Sequence, residues 1–279
     1  MCRKRALVAT VLGPLLIGQA FLLSTAPAFA ADAPKPASQA AVPAAPVIQK
    51  ASAQQRAEAR RLDPLARAAF WGSEFEIDPA DAEAGAGLAQ ALRGLGRNDE
   101  AAVAATKALV SNPNDGALLM ELARAHIARG QGFYAIDPAR KAAALNPKDW
   151  RPQTLLGVAY EQAERDDESE VAHRQALALA PNEPTPLANY AMHLAAKGDL
   201  ANAETQLRRA AALPTATIQV RQNLALVVGL QGRLPEAEKL ARADLPPELV
   251  ANNLAYLRAA IGQVGANRSW DAMKAGGGQ

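Results

Sequence analysis

Cysteine is nearly missing from this chain: Cys2 is the one thiol among 279 residues. A fold stapled by disulfides or built on a cysteine-ligated metal is thereby excluded. Aromatic residues make up only 4% against a hydrophobic fraction of 49%, a poor supply for a β-sandwich or barrel, which draws on Val, Ile, Thr and aromatics. Neither sign of charge dominates, with 30 Lys+Arg against 28 Asp+Glu, so a strongly basic nucleic-acid binder is not expected. Beyond the first thirty residues no apolar run is long enough to span a bilayer. What the chain has in excess is alanine, about a quarter of all residues. Alanine is the best helix former and lets helices approach closely, so the composition predicts many short, tightly packed helices in an all-α fold.

The N-terminal segment has the layout of a secretory signal peptide. Arg3, Lys4 and Arg5 precede an apolar run from Ala6 to Leu23, and Ala28-Phe29-Ala30 supplies a small-x-small cleavage pattern. Removal of residues 1–30 takes three positive charges and Cys2 with it. The alternative, an uncleaved anchor, fits less well because Gly13, Pro14 and Gly18 interrupt the run. Cys2 stands before the apolar run and so cannot carry the lipid of a bacterial lipoprotein. The expectation is an exported, periplasmic protein with no lipid and no membrane span after cleavage. Residues 31–54, with Pro34, Pro36, Pro43 and Pro46 and no apolar periodicity, read as a disordered Pro/Ala-rich linker, and 263–279 as a flexible tail.

Between these ends the prolines keep a period. Pro79, Pro113, Pro147 and Pro181 stand 34 residues apart, and Pro214 falls one residue short of the series. That period is the signature of tetratricopeptide (TPR) repeats, each a pair of antiparallel helices A and B. With proline at position 32, five units cover 82–245. Position 8 then holds Ala89, Ala123, Gly157, Ala191 and Ala225, and position 20 holds Ala101, Ala135, Ser169, Ala203 and Ala237. Position 27 holds Ala108, Ala142, Ala176 and Ala210, and the turn after helix A carries Gly96, Gly130, Gly198 and Gly232, with Glu164 as the exception. Small side chains allow the A–B contact, and glycine accepts the left-handed residue that ends helix A. The predicted architecture is an all-α TPR superhelical solenoid with capping helices. Residues 55–81 form a degenerate N-terminal cap with a helix over Leu65–Ile77, and 246–262 a C-terminal capping helix.

Side chains capable of chemistry are scattered. His126, His173 and His193 form no His-x-x-x-His or His-Glu-x-x-His pair, so no metal is expected. The acidic run Asp166, Asp167, Glu168, Glu170 lacks the ligand spacing of a calcium loop and suits a helix N-terminus instead. Gly85-Ala86-Gly87 sits inside a helix without a preceding strand, which removes phosphate binding, and no Ser or Cys nucleophile stands in a recognisable setting. No catalytic residue and no cofactor is expected.

The remaining candidate is the concave face. Helix A positions 2, 5, 6, 9, 12 and 13 line it and include Glu83, Gln90, Arg93, Met120, Glu121, Arg124, Arg151, Thr154, Glu161, Asn189, Met192, Gln222 and Asn223. Of these, Gln90, Arg93, Met120, Arg124, Arg151, Asn189, Met192, Gln222 and Asn223 are the candidates for a peptide-binding groove. Asn189 and Asn223, one period apart, can each pair with both N–H and C=O of an extended backbone.

Two stretches carry a narrower resemblance. DPLARAAFWGSEFEIDPADAEAGAGLAQALRGLGRNDEA (Asp63–Ala101) resembles the start of the TadD proteins of the bacterial tight-adherence (Flp) pilus system, and VRQNLALVVGLQGRLPEAEKLARADLPPELVANNLAYLRA (Val220–Ala259) is similar to their C-terminal end. The resemblance implies an accessory role in assembling the pilus secretion apparatus, with the outer-membrane secretin or other pilus-assembly components as protein partners. Family members are often lipoproteins, a feature this chain lacks. An adaptor for cell-wall or division proteins, and a regulatory or enzymatic subunit, are the alternatives.

Overall fold

The computed structural model describes residues 49–276, with side chains as far as Gly262 except Ala260. The expected signal peptide, the linker up to residue 48 and residues 277–279 lie outside the described residues. Among those described, thirteen helices form and no strand. Two cap helices, α1 (Ala53–Ala59) and α2 (Pro64–Ile77), are followed by five pairs: α3 (Ala82–Gly94) with α4 (Asn98–Ser111), α5 (Gly116–Ala128) with α6 (Gly132–Leu145), α7 (Trp150–Gln162) with α8 (Asp166–Leu179), α9 (Pro184–Ala196) with α10 (Leu200–Ala211), and α11 (Ile218–Leu230) with α12 (Leu234–Ala241). The last helix is α13 (Pro247–Gly276). The pairs fall in the five repeat units, the first four of 34 residues and the last a shorter one.

Each boundary has a local cause. Asp81, Asp115 and Asp149 cap α3, α5 and α7 by accepting from the N–H groups of Ala84 (3.0 Å), Leu118 (2.8 Å) and Arg151 (2.9 Å), and Thr217 does the same for α11. Such a cap contributes about 0.5–2 kcal/mol. Helix α9 has no side-chain cap but starts on Pro184, whose fixed φ suits the first turn. Helix A of each unit ends at a left-handed residue: Gly96, Gly130, Gly198 and Gly232 have φ between 69° and 85°, and Glu164 adopts the same conformation at φ 57°. After each, an N–H reaches back five residues, as from Arg97 to Leu92 O and from Arg165 to Tyr160 O (both 2.9 Å). This motif satisfies a carbonyl that the helix end would leave orphaned.

The core is thin and built of small residues. Every side chain at positions 8, 20 and 27 named above from Ala89 to Ala237 is buried or, at Gly157, replaced by hydrogen. Consecutive helices pack throughout, and α3, α5, α7, α9 and α11 also touch in series, so the A helices line one face of the stack.

The ends show where local reading and structure differ. Helix α1 starts at Ala53 instead of 55, because Ser52 and Gln55 form a reciprocal capping box. The expected linker therefore stops short of 54: the Ala51 N–H already donates to Glu74 (2.9 Å). Arg56 ties α1 to α2 through Glu74 (2.6 Å) and to the start of α3 through Asp81 (2.7 Å) and Glu83 (3.0 Å). Trp71, 2% exposed, lies on Gly87, where a Cβ would come within 2.5 Å of the indole. At the other end Val250, Leu254 and Leu257 of α13 close the hydrophobic core of the last two repeats. The backbone of α13 stays helical to Gly276, where a flexible tail was expected from 263. No proline interrupts that stretch, and Gly262 and Gly265 weaken a helix without ending it.

Candidate functional site

The TPR register dictates which side chains face the concave side. Successive units present Glu83, Ala117 and Arg151 at position 2, Ala86 and Met120 at position 5, Gly87 and Glu121 at position 6, and Gln90 and Arg124 at position 9. These residues, with Arg93 and Asp115, line a groove of ≈ 710 Å³ that Arg60, Arg67 and Trp71 of the N-terminal cap complete. Five arginines there face three carboxylates.

The carboxylates are already engaged. Glu121, only 6% exposed, sits between Arg93 (3.3 Å) and Arg124 (2.5 Å). Glu83 pairs with Arg60 and Arg56, and Asp115 caps α5. Arg151 forks onto Asp149 (2.6 Å and 2.9 Å). That hydrogen-bonded guanidinium, followed by the Arg151 backbone N–H and opposed by burial, holds the Asp149 carboxyl below its ordinary value. Arg67 makes no ion pair among the described residues, and its buried Nε has no partner. A groove so arranged holds surplus arginine donors, with the nearly buried Trp71 and Met120 at its floor. Guanidinium forks match carboxylates in a bidentate way.

Of the nine residues expected on sequence grounds, Gln90, Arg93, Met120, Arg124 and Arg151 meet in this groove. Gln222 and Asn223 line a second, smaller pocket of ≈ 210 Å³ between α11, α12 and α13, together with Gln219, Asn253 and Leu254. Asn189 and Met192, half-buried on α9, line neither. The spacing that paired Asn189 with Asn223 therefore does not bring them to one pocket. Asn223 Oδ1 already accepts from Gln219 Nε2 on its own helix (2.9 Å). Sequence reasoning missed Arg60 and Arg67, because the cap that carries them falls outside the regular repeat register.

A second constellation lies at the junction of the third and fourth repeats. Glu161 of α7, His173 of α8 and His193 of α9 converge there, although 12 and 20 residues separate them in turn. His193 Nδ1 lies 2.8 Å from Glu161 Oε1 and 3.3 Å from Ser169 Oγ. His173 Nε2 lies 3.3 Å from the same Glu161 oxygen, and the two rings are 5.2 Å apart. Both imidazoles are at most 2% exposed, yet His173 Nδ1 and Nε2 and His193 Nε2 lack a hydrogen-bond partner. A buried polar atom left so costs about 1–3 kcal/mol. Burial pushes the Glu161 carboxyl up, but His173 and then His193 outweigh it and hold it below the ordinary value. The cluster is not a serine-type triad. Ser169 and Glu161 compete for one nitrogen, and the fully buried Ser169 hydroxyl donates to the Gly157 carbonyl (3.0 Å). Sequence inspection separated these residues because it tested spacing along one helix, whereas positions 12 and 24 of one unit and 10 of the next meet across the stack.

No family model and no curated protein matches the chain. Solved structures do match. A thermophilic TPR protein from Thermus thermophilus is 22% identical with a TM-score of 0.54, over 63% of this chain and 94% of that one. A tetratricopeptide repeat protein from Parabacteroides merdae is 15% identical with a TM-score of 0.60, over 74% and 80%. The Cut9–Hcn1 hetero-tetramer of the APC/C is 17% identical with a TM-score of 0.60, over 78% of this chain and 42% of that one. The fold is that of a TPR solenoid, an architecture that generally mediates protein–protein binding.

Proposed function

We propose that this chain is a non-enzymatic scaffold that binds protein partners in its concave groove and serves Tad/Flp pilus assembly in the periplasm. The groove carries the reading: five arginines, some of them tied to carboxylates of the stack and Arg67 free of them, surround Trp71 and Met120. Such a surface suits an extended partner segment bearing carboxylates. The pilus assignment is supported by the TadD-like stretches Asp63–Ala101 and Val220–Ala259, and export without lipid by the first thirty residues. The secretin or another assembly component is the partner in this reading.

A scaffold acts by holding other proteins, so its loss should stop assembly and leave pilin synthesis and processing intact. In a deletion strain pilin is made and cleaved while surface pili disappear; normal surface pili would rule out the pilus assignment. Complementation with Arg67→Gln plus Arg151→Gln tests the groove. Neither residue holds the buried Glu121, so the stack stays folded, and losing two charge-assisted contacts weakens a partner on the order of tenfold or more. Full rescue by this variant would remove the groove and leave the pilus assignment standing.

A further inference from the structure

We propose that Glu161, His173 and His193 form a binding site for a transition-metal ion of the zinc class, clamping the third repeat to the fourth. The donor set is two imidazoles and one carboxylate, which suits zinc and its neighbours and does not suit the all-oxygen preferences of calcium or magnesium. The donor atoms all lie within 4.8 Å of one another. A tetrahedral ion with bonds of 2.0–2.1 Å places its ligands roughly 3.3 Å apart. The separations from Glu161 Oε1, 2.8 Å to His193 Nδ1 and 3.3 Å to His173 Nε2, bracket that value. Of the two donor nitrogens, His173 Nε2 makes no well-formed hydrogen bond, on a ring only 1% exposed.

The neighbouring repeats show how unusual the arrangement is. At position 24 the other units bury Ala105, Ala139, Leu207 and Ala241, and at position 10 they bury Ala91, Ala125, Ala159 and Val227. Histidine replaces a core side chain at both positions where units three and four meet. The surroundings are changed to match. Gly157 stands where four units have alanine, and a Cβ there would come within 2.4 Å of the His173 ring. Ser169 stands where four units have alanine, its hydroxyl held by the Gly157 carbonyl and beside His193 Nδ1. Glu161, with a side chain 32% exposed, gives an ion its path from solvent and leaves room for water as a fourth ligand. Three ligands on α7, α8 and α9 would fix the angle between two repeats, and bound metal would stabilise the folded stack by mass action.

The test uses the full-length chain, free of tags and stripped with a chelator, with Cys2→Ser alongside to exclude thiol binding. Zinc titrated by calorimetry should bind one equivalent and raise the melting temperature. Cobalt(II) should give the intense visible absorption of a tetrahedral site. Glu161→Gln, half-exposed and nearly isosteric, and His193→Gln should each weaken zinc at least about 100-fold, since even supporting residues around a metal are worth 10–100-fold. His126→Gln should leave the affinity unchanged. In the unmodified chain, zinc should also shift the ring nitrogens of His173 and His193 in NMR spectra, a readout that needs no variant. Absence of zinc binding at about 100 μM metal, or equal affinity in Glu161→Gln and the parent, would overturn the proposal.

Discussion

The second and third repeats follow one 34-residue plan and solve it with different chemistry. In the second, positions 8, 20 and 24 are Ala123, Ala135 and Ala139, all 0% exposed, and the turn is closed by Gly130. In the third, the same positions hold Gly157, Ser169 and His173, and Glu164 takes the left-handed turn at φ 57°. The backbone hardly registers the difference: both units make helix A of 13 residues and helix B of 14. An alanine core meets the helix contact with methyl groups alone. The third unit meets it by removing one Cβ, inserting an imidazole into the space, and bonding a hydroxyl to the carbonyl thus exposed. A repeat tolerates such an exchange because the lost Cβ makes room for the ring and each unit touches only its neighbours. The exchange gives the third unit polar groups that the second lacks.

The largest effect expected from this comparison is at position 8. Gly157→Ala forces a methyl into the His173 ring and should cost about 1–3 kcal/mol. His173→Ala in the same chain recreates the alanine pairing of the second repeat and should recover most of that loss. Thermal or denaturant melts of the two single variants and the double measure the coupling, and additive losses would mean that the two sites do not share one space.

A smaller effect, of opposite sign, belongs to the turn. A left-handed non-glycine residue costs roughly 1–2 kcal/mol, part of which glycine returns through the greater freedom of the unfolded chain. Glu164→Gly should therefore stabilise by about 0.5–1 kcal/mol, whereas Gly130→Glu should destabilise the second repeat by a similar amount. No gain in Glu164→Gly would show that the third turn is supported by its side chain.

The smallest effect concerns the caps. Asp115 and Asp149 cap helix A of the second and third units, but only Asp149 carries an arginine fork, from Arg151. That fork, opposed by burial, holds its carboxyl below the ordinary carboxylate value. A depressed carboxyl contributes stability that is present above its unfolded value and is lost as pH falls through the lower folded value. Asp149→Asn keeps the cap and removes the charge, so it should cost about 0.5 kcal/mol at neutral pH. That difference should vanish in acid, once the parent carboxyl is protonated. Hydrogen exchange of the first turn of α7, followed from neutral pH downward, reads it. A constant difference at all pH values would remove the ion pair as its cause.

The fold was legible almost entirely because its causes are local and repeat. Proline at position 32, glycine after helix A and alanine at the A–B contact each act within a few residues, and five copies make the period visible above chance. The ends were less legible. Ser52 and Gln55 start α1 by a box that lies in what composition suggested was linker. The backbone of α13 continues past Gly262 with no stop signal to read. Half of the groove was equally visible: Gln90, Arg93, Met120, Arg124 and Arg151 follow from the register, whereas Arg60 and Arg67 come from the irregular cap.

What the sequence determined by itself is the helix pair, its length, its turn and the face each residue occupies, since these depend on neighbours no more than four to six positions away. Only the tertiary structure decided which faces meet. Asn189 and Asn223 share a register position yet do not share a pocket, because α13 packs against α11 and gives Asn223 different neighbours. Glu161, His173 and His193 share no motif yet share a site, because packing α9 on both helices of the preceding unit brings three unrelated positions to within a few ångströms.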